Sequence, residues 1–435
     1  MVIHHPEIGR RLKPWYRVDD VRELMAFLHG HQTLRLTPLP TGLYPAAGGD
    51  PQAAAQSGYG NVWVRDNVYV ALALQASGRP EAACAALQQL AAFHLNHRVR
   101  FETIVDGRSD PGLPMNRPQV RFDGLTLSEL PVPWPHAQND ALGYFLWAYC
   151  RFARTAQLAT EPALLALLQL YFQAIRYWQD KDSGHWEERR KIEASSIGAV
   201  ISGLRALRLL VAGNPAHAPS FGGTKVTLDF LDRLIEPGVA ALDAILPSEC
   251  IQPDPSKSRR YDDALLFLVY PLEVVDEAMG QRIVEDVLGN LQGDHGIRRY
   301  LGDSYWTADY KDKVPASQLT ADFSERQHER DALAWPGEEA QWCIFDPIVS
   351  VIAGRRYLRA GDPADLDRQV HHLNRSLGQL TGPECLQGEL LCPEAYYLQR
   401  GRYVPNDNLP LLWTQANLRL ALIAMEQSAA RGQTG

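Results

Sequence analysis

Residues 134–158 read WPHAQNDALGYFLWAYCRFARTAQL. From Leu142 to Leu158 apolar side chains recur at i, i+3, i+4 and i+7, the period of a helix with a buried face. Just upstream, Trp134 to Asp140 sets an indole beside an amide and a carboxylate. This unit, an aromatic and polar loop leading into a long helix, recurs along the chain. Helical periodicity continues over Val21–Leu28, Val64–Leu74, Glu81–Leu95, Pro162–Tyr177, Ser196–Val211 and Leu228–Ile245. It returns over Gln281–Leu291, Glu338–Leu358, Leu366–Leu380 and Leu411–Met425. With a shorter segment near Asp262–Tyr270, the pattern predicts about twelve helices. Asp362-Pro363 and Thr160-Glu161-Pro162 are start signals: a side-chain acceptor for free N–H groups, then a proline already set at helical φ.

Between the helices run long polar or proline-rich stretches, Leu36–Gly60, Val105–Ala137, Gln252–Arg260, Leu301–Pro336 and Thr381–Leu409. They are too long for a plain bundle or a helical-repeat array, and no fixed-period repeat is visible. Long loops on a rigid scaffold usually build a site. The expectation is therefore an all-α fold: a closed ring of six helical hairpins, with inner and outer layers of six helices and the loops forming a pocket at one end. One domain over 46–428 is expected, with an N-terminal appendage over 1–45 and a disordered tail over 429–435.

Composition narrows the function. The 435 residues carry 43 Lys+Arg against 51 Asp+Glu, a net charge of −8, and 46% of them are apolar. Such a chain buries a sizeable core but lacks the clustered cations that neutralise a nucleic-acid backbone. Its basic runs, Arg189–Lys191 and Lys257–Arg260, are short and adjoin acidic residues. No uncharged apolar run of about 18 residues predicts a membrane span. The N-terminus lacks the apolar core and cleavage site of a secretory signal. Six scattered cysteines without a CxxC pair read as reduced thiols, and together these features predict a cytoplasmic protein with no membrane partner. His371 and His372 are adjacent on a helix and point to different faces, so they do not chelate together. No metal and no cofactor is expected. Gly222-Gly223-Thr224-Lys225 reads as a turn, and Ser195-Ser196 as helix capping.

Aromatic and charged residues coincide in five loops: Tyr59–Asp66 (YGNVWVRD), Trp134–Asp140, Trp186-Glu187-Glu188, Glu339–Trp342 (EAQW) and Pro393–Tyr397 (PEAYY). A sugar ring stacks its CH face on an indole, while its hydroxyls bond to Arg and Asp. Glycoside hydrolysis needs two carboxyls, one protonated and one ionised. Glu187 adjoins Trp186, an apolar setting that raises a carboxyl pKa and suits a general acid. Glu394 lies between Pro393 and Ala395-Tyr396-Tyr397. The two are far apart in sequence, and only a closed ring brings them to one mouth.

These runs resemble a known family. WVRDNVY (63–69), HAQNDALGYFLW (136–147), GHWEERRKIEASSIGAVISGLRAL (184–207), IRRYLGDSYW (297–306), EAQWCIF (339–345) and LCPEAYYL (391–398) occur in the order seen in glycoside hydrolase family 15, the glucoamylase family. Within it the likeness is greatest to the glucoamylase-like domain of the phosphorylase kinase alpha and beta regulatory subunits and their bacterial relatives. The closing LPLLWTQANLRLAL (409–422) fits too, so the likeness covers roughly residues 56–426. After Trp186-Glu187 the chain departs from the fungal Glu-Val-Asn-Gly-Ser-Ser pattern with a highly charged stretch.

The resemblance implies an (α/α)6 barrel and inverting hydrolysis of α-glucosidic bonds, without cofactor. It implies Glu187 as acid and Glu394 as base. Arg65 and Asp66 would hold the terminal glucose. Trp63, Trp134, Trp186, Glu339 and Trp342 would line the inner subsites, supported by Gln138 and Asp140. The expected partner is an α-glucan or oligosaccharide. Two other readings stay open: a catalytically silent glucan-binding or regulatory protein, and a hydrolase of another α-glucoside such as isomaltose, trehalose or a small glucosylated solute. The sequence names no protein partner.

Overall fold

A computed structural model describes residues 1–49, 54, 57–213, 218–255 and 258–434; Lys257 of the second basic run lies outside them. Twelve helices build two concentric layers. The outer ones are α1 (Val18–Gly30), α3 (Pro80–Asn96), α5 (Pro162–Ile175), α7 (Leu228–Ile245), α9 (Glu277–Leu291) and α11 (Pro363–Gly378). The inner ones are α2 (Val64–Ala76), α4 (Asn139–Thr155), α6 (Ala194–Gly213), the short α8 (Leu266–Val269), α10 (Phe345–Ala360) and α12 (Leu412–Thr434). Each inner helix packs on the next, and α12 closes against α2. This is the expected (α/α)6 barrel.

Burial explains the two layers. In α2 every residue from Val64 to Leu74 is buried, as an inner helix enclosed on all sides requires. In α7 only Leu231, Leu234, Gly238 and Leu242 are buried, a single stripe facing inward. Apolar α6 has the length and composition of a membrane span, contrary to the expectation that none occurs, but here that composition serves burial within the ring. Asp362 caps α11 by accepting the Ala364 N–H at 2.9 Å, with Pro363 in the first turn.

Connections from inner to outer helices are mostly short, such as 77–79 and 361–362, whereas those from outer to inner helices are long. The long ones, 97–138 and 292–344 among them, therefore gather at the N-terminal ends of the inner helices. Two small antiparallel sheets tie them together. β1 (Val62–Trp63), β2 (Arg121–Asp123) and β3 (Ser128–Glu129) form one, with Trp63 opposite Arg121. β4 (Gln341–Trp342), β5 (Ala395–Gln399) and β6 (Arg402–Pro405) form the other, with Trp342 opposite Ala395.

Three expectations need correction. Residues 1–45 are no appendage: α1 packs on α12, and Val21, Leu24 and Leu28 join the common core. The tail is helical to Thr434, because Ser428 and Ala429 are still buried in the last turns of α12. Residues 338–344 are not helical; Gln341 and Trp342 pair as a strand, and α10 starts at Phe345. Gly222-Gly223 is a hairpin turn with φ of +56° and +81°, a backbone that glycine adopts without strain.

Candidate functional site

One cavity opens where the inner helices begin. Its wall includes Trp63, Arg65 and Asp66 at the start of α2, Trp134 before α4, Trp186 and Glu187 before α6, Trp342 before α10, and Glu394 and Trp413 around the start of α12. The 301–336 connection closes one side with Thr320–Phe323 and Arg330. The Thr320 hydroxyl donates to the Ser57 carbonyl at 2.8 Å, joining that connection to the loop ahead of α2.

Glu187 has φ of +57°, a left-handed backbone rare for a side-chain-bearing residue and often found where a functional group is aimed. The turn separates Glu187 from its neighbours. Trp186 turns its indole N–H to Asp262 Oδ1, 2.9 Å away. The indole that touches the Glu187 carboxyl is instead that of Trp63, whose Nε1 donates to Oε1 at 2.8 Å. Gln138 Nε2 donates to the same oxygen at 3.1 Å. Oε2 is left to carry a proton. Burial pushes the Glu187 pKa up, opposed by Arg65, the Trp63 N–H, Arg121 and Gln138.

Glu394 is dressed differently. Oε1 accepts from the Tyr59 hydroxyl at 2.8 Å, and Oε2 accepts from the Asn408 amide at 2.6 Å and from the Asn406 amide. Burial pushes its pKa up, and these three donors oppose the rise. A proton on Oε2 would face two amide N–H groups, so the arrangement suits the carboxylate. Tyr305 meets the Tyr59 hydroxyl at 3.2 Å and also lines the cavity.

Arg65 holds the floor. It ion-pairs with Asp140 at 2.5 Å, donates to Gln138 Oε1 at 3.3 Å and to the His185 carbonyl at 3.0 Å, and lies 3.9 Å from Glu187. Asp66 is buried beside it, and burial raises its pKa to about 7 against the pull of Arg65. His185 is held neutral, its pKa pushed down to about 3 by burial.

Two expected supporting residues lie behind the cavity wall, and one expected subsite residue sits elsewhere. Gln138 and Asp140 lie behind the wall and act on Glu187 and Arg65. Glu339 is buried away from the cavity, where Oε1 accepts the Gly302 N–H at 2.8 Å and Oε2 lies 3.4 Å from Arg298. The charged stretch after Glu187 also turns inward. Glu188 is fully buried, with Arg259 at 3.0 Å, Arg330 at 3.5 Å, Arg299 at 3.6 Å and Lys191 at 3.8 Å. Burial opposes its ionisation, but these four cations hold its carboxyl below the ordinary range.

Sequence reasoning missed Tyr59, Tyr305, Arg299, Asn406, Asn408 and Trp413 as site residues. Tyr59, Arg299, Tyr305 and Trp413 stood in runs already singled out, and Asn406-Asp407-Asn408 precedes the last helix. Among the described residues no group of three or more His, Cys, Asp or Glu could hold a metal ion.

Comparison with known proteins adds the following. The family model described as Glycosyl hydrolases family 15 matches residues 24–313. Probable phosphorylase b kinase regulatory subunit alpha of Caenorhabditis elegans is 27% identical over 403 residues, covering 82% of this chain and 30% of that protein. The chain thus spans under a third of the length of that relative. Among solved structures, a glycosidase in complex with glucose matches with a TM-score of 0.61 at 17% identity, covering 97% of this chain and 98% of that one. Glucoamylase from Saccharomycopsis fibuligera matches at 0.59 with 12% identity, covering 95% of each chain. At these identities the structural matches establish the fold.

Proposed function

The chain belongs to glycosyl hydrolases family 15, and from that membership we propose that it hydrolyses α-glucosidic bonds with inversion, releasing glucose from the non-reducing ends of α-glucans or malto-oligosaccharides. The observation that carries this reading is the unequal dressing of two carboxyls in one cavity. Glu187 keeps Oε2 free for a proton, while Glu394 receives three donors that favour its ionised form. In the reaction Glu187 gives its proton to the glycosidic oxygen as the C1–O bond breaks. A water attacks C1 from the opposite face and passes its proton to Glu394, leaving β-glucose. Arg65 and Asp66 bind hydroxyls of the terminal ring, and Trp63, Trp134, Trp186 and Trp342 offer faces for its CH groups. A sugar ligand agrees with the glucose held by one structural relative.

The test is proton NMR of the protein with maltose, maltotetraose, isomaltose and trehalose. The expected result is a β-anomeric glucose signal ahead of mutarotation, and the responsive sugar names the linkage. Glu187→Gln and Glu394→Gln should each lower turnover by about 10² or more while folding is kept. Near-full turnover in either variant refutes that residue's role. A second reading is favoured by the C. elegans relative, named a regulatory subunit: the cavity binds glucan without turnover. Sugar-dependent line broadening with no glucose released from any of the four sugars would establish that reading in place of the first.

A further inference from the structure

Arg121 departs from the other cations around the site. Arg65 and Arg299 each hold a carboxylate partner. Arg121 is only 7% exposed, yet it forms no ion pair among the described residues. Its Nε has no hydrogen-bond partner, and Nη2 reaches only the Gly58 carbonyl, at 3.4 Å. An isolated buried cation is costly, and such groups are usually paired or replaced.

What surrounds it is the wall that holds Glu187. The guanidinium carbon lies 3.9 Å from the Trp134 ring centroid and 4.8 Å from that of Trp63. The two indoles meet edge to face with centroids 6.0 Å apart. The β1–β2 register, Trp63 opposite Arg121, fixes this stack, and Trp63 Nε1 donates to Glu187. Gly58, at φ +78°, leaves the room: a Cβ there would collide with Arg121 Nη2. The anionic or ionisable groups facing the guanidinium are Glu187, Tyr59 and Asp322. His136 adjoins it and is held neutral, its pKa pushed down to about 3 by burial, Arg121 and Arg100. Glu187 in turn faces Arg65, Trp63, Arg121, Gln138 and the Asp66 carboxyl. A methionine would also pack between two indoles. Among the groups it faces, Glu187 acts on the guanidinium most strongly, so the charge bears on that carboxyl when it ionises.

We propose that Arg121 is a positioning residue for the acid: it braces the Trp63–Trp134 wall and supplies the positive charge that stabilises the carboxylate left on Glu187 after its proton passes to the glycosidic oxygen. The inference rests on Glu187 being that acid. Without the cation, ionised Glu187 is less favourable, its proton is held to higher pH, and proton donation slows.

The experiment compares wild type, Arg121→Met and Arg121→Lys by the pH dependence of kcat/KM and by carbon-13 NMR titration of the Glu187 carboxyl in the free protein. In Arg121→Met the alkaline limb and the Glu187 titration should both move up by about half a pH unit or more. Its kcat should fall about 10-fold, with KM changed by less than about 3-fold. Arg121→Lys should keep both titrations near the wild-type values. If Arg121→Met loses the native fold, Arg121→Gln takes its place. A neutral variant whose limb and titration coincide with wild type overturns the proposal, leaving Arg121 as packing alone. Should the wild type release no glucose, the hydrolase reading fails, but the carboxyl titration still decides the charge coupling: an unmoved Glu187 overturns it, a raised one upholds it.

Discussion

The two carboxyls differ at the level of single donors. Burial raises the Glu394 pKa, and Asn408, Tyr59 and Asn406 favour its ionised form against that rise. Asn408→Ala removes a donor that favours the charged form, so the Glu394 pKa must rise. The base is active when deprotonated, so the acidic limb of kcat/KM against pH should move up, by about half a unit to one unit. The alkaline limb, set by Glu187, should stay in place. An unmoved acidic limb would mean that Asn408 does not control the base. The same residue-level logic explains why Trp186 was a misleading neighbour. A left-handed backbone at Glu187 sends the Trp186 N–H to Asp262, the Glu187 carboxyl to the Trp63 N–H, and Glu188 to a buried cluster of cations.

Between elements, two contacts carry the ring. Helices α4 and α6 cross closely because glycines face each other. A Cβ on Gly143 would lie 2.6 Å from the Ala199 carbonyl carbon, and one on Gly203 would lie 2.9 Å from the Gly143 oxygen. Backbone cannot yield as a side chain can, so Gly143→Ala should destabilise the protein by at least about 2 kcal/mol. The measurement is the urea midpoint at unchanged m-value, and a midpoint equal to wild type would refute the close-packing account. Helices α10 and α11 are joined by Asp346. It accepts from Arg375 Nε at 2.7 Å and from Gln379 Nε2 at 2.5 Å, and meets His372 Nδ1 at 2.7 Å. His372 thus serves a buried carboxylate, while His371 points elsewhere. Burial opposes ionisation of Asp346, but His372 and Arg375 outweigh it and hold the pKa at about 2, against 3.8 ordinarily. Its stabilisation is full above the ordinary value and is lost as pH falls toward about 2. Asp346→Asn should be less stable than wild type at pH 6 by about 3 kcal/mol, since it leaves Arg375 buried without a counter-charge. The gap should narrow between pH 4 and 2, where wild type loses the same contribution. Urea unfolding at stepped pH reads both effects, and a constant gap would refute the assignment.

For the whole molecule, the ring must close for the site to exist. Glu187 comes from the loop before α6 and Glu394 from the loop before α12, and no local structure brings them together. Helix α1 covers α12 with Val21, Leu24 and Leu28, and the backbone N–H and carbonyl of Tyr44 bond to the Asn67 side chain on α2 at 2.9 Å each. A protein lacking residues 1–45 should therefore expose the closing seam between α12 and α2. The expected outcome is aggregation, or a state with helical circular dichroism, strong dye binding and no cooperative thermal transition. A soluble, cooperatively melting truncation would restore residues 1–45 to the status of an appendage.

Much of this was legible in the chain itself. Helical periodicity is local, written within each segment by the need to bury one face, so the twelve helices and their long connections could be read directly. Caps such as Asp362-Pro363 are local too. The ordered motifs carried the family. The tertiary structure alone decided which side chains meet. Gln138 and Asp140 brace Glu187 and Arg65 from behind the cavity wall, whereas Glu339 pairs with Arg298 away from it. Tyr59, Asn406 and Asn408 attend Glu394, and Arg121 stands beside Glu187, because ring closure and strand register place them there. A sequence pattern records how much of each element is buried. It does not record which distant element buries it, since that is set by packing between segments far apart along the chain.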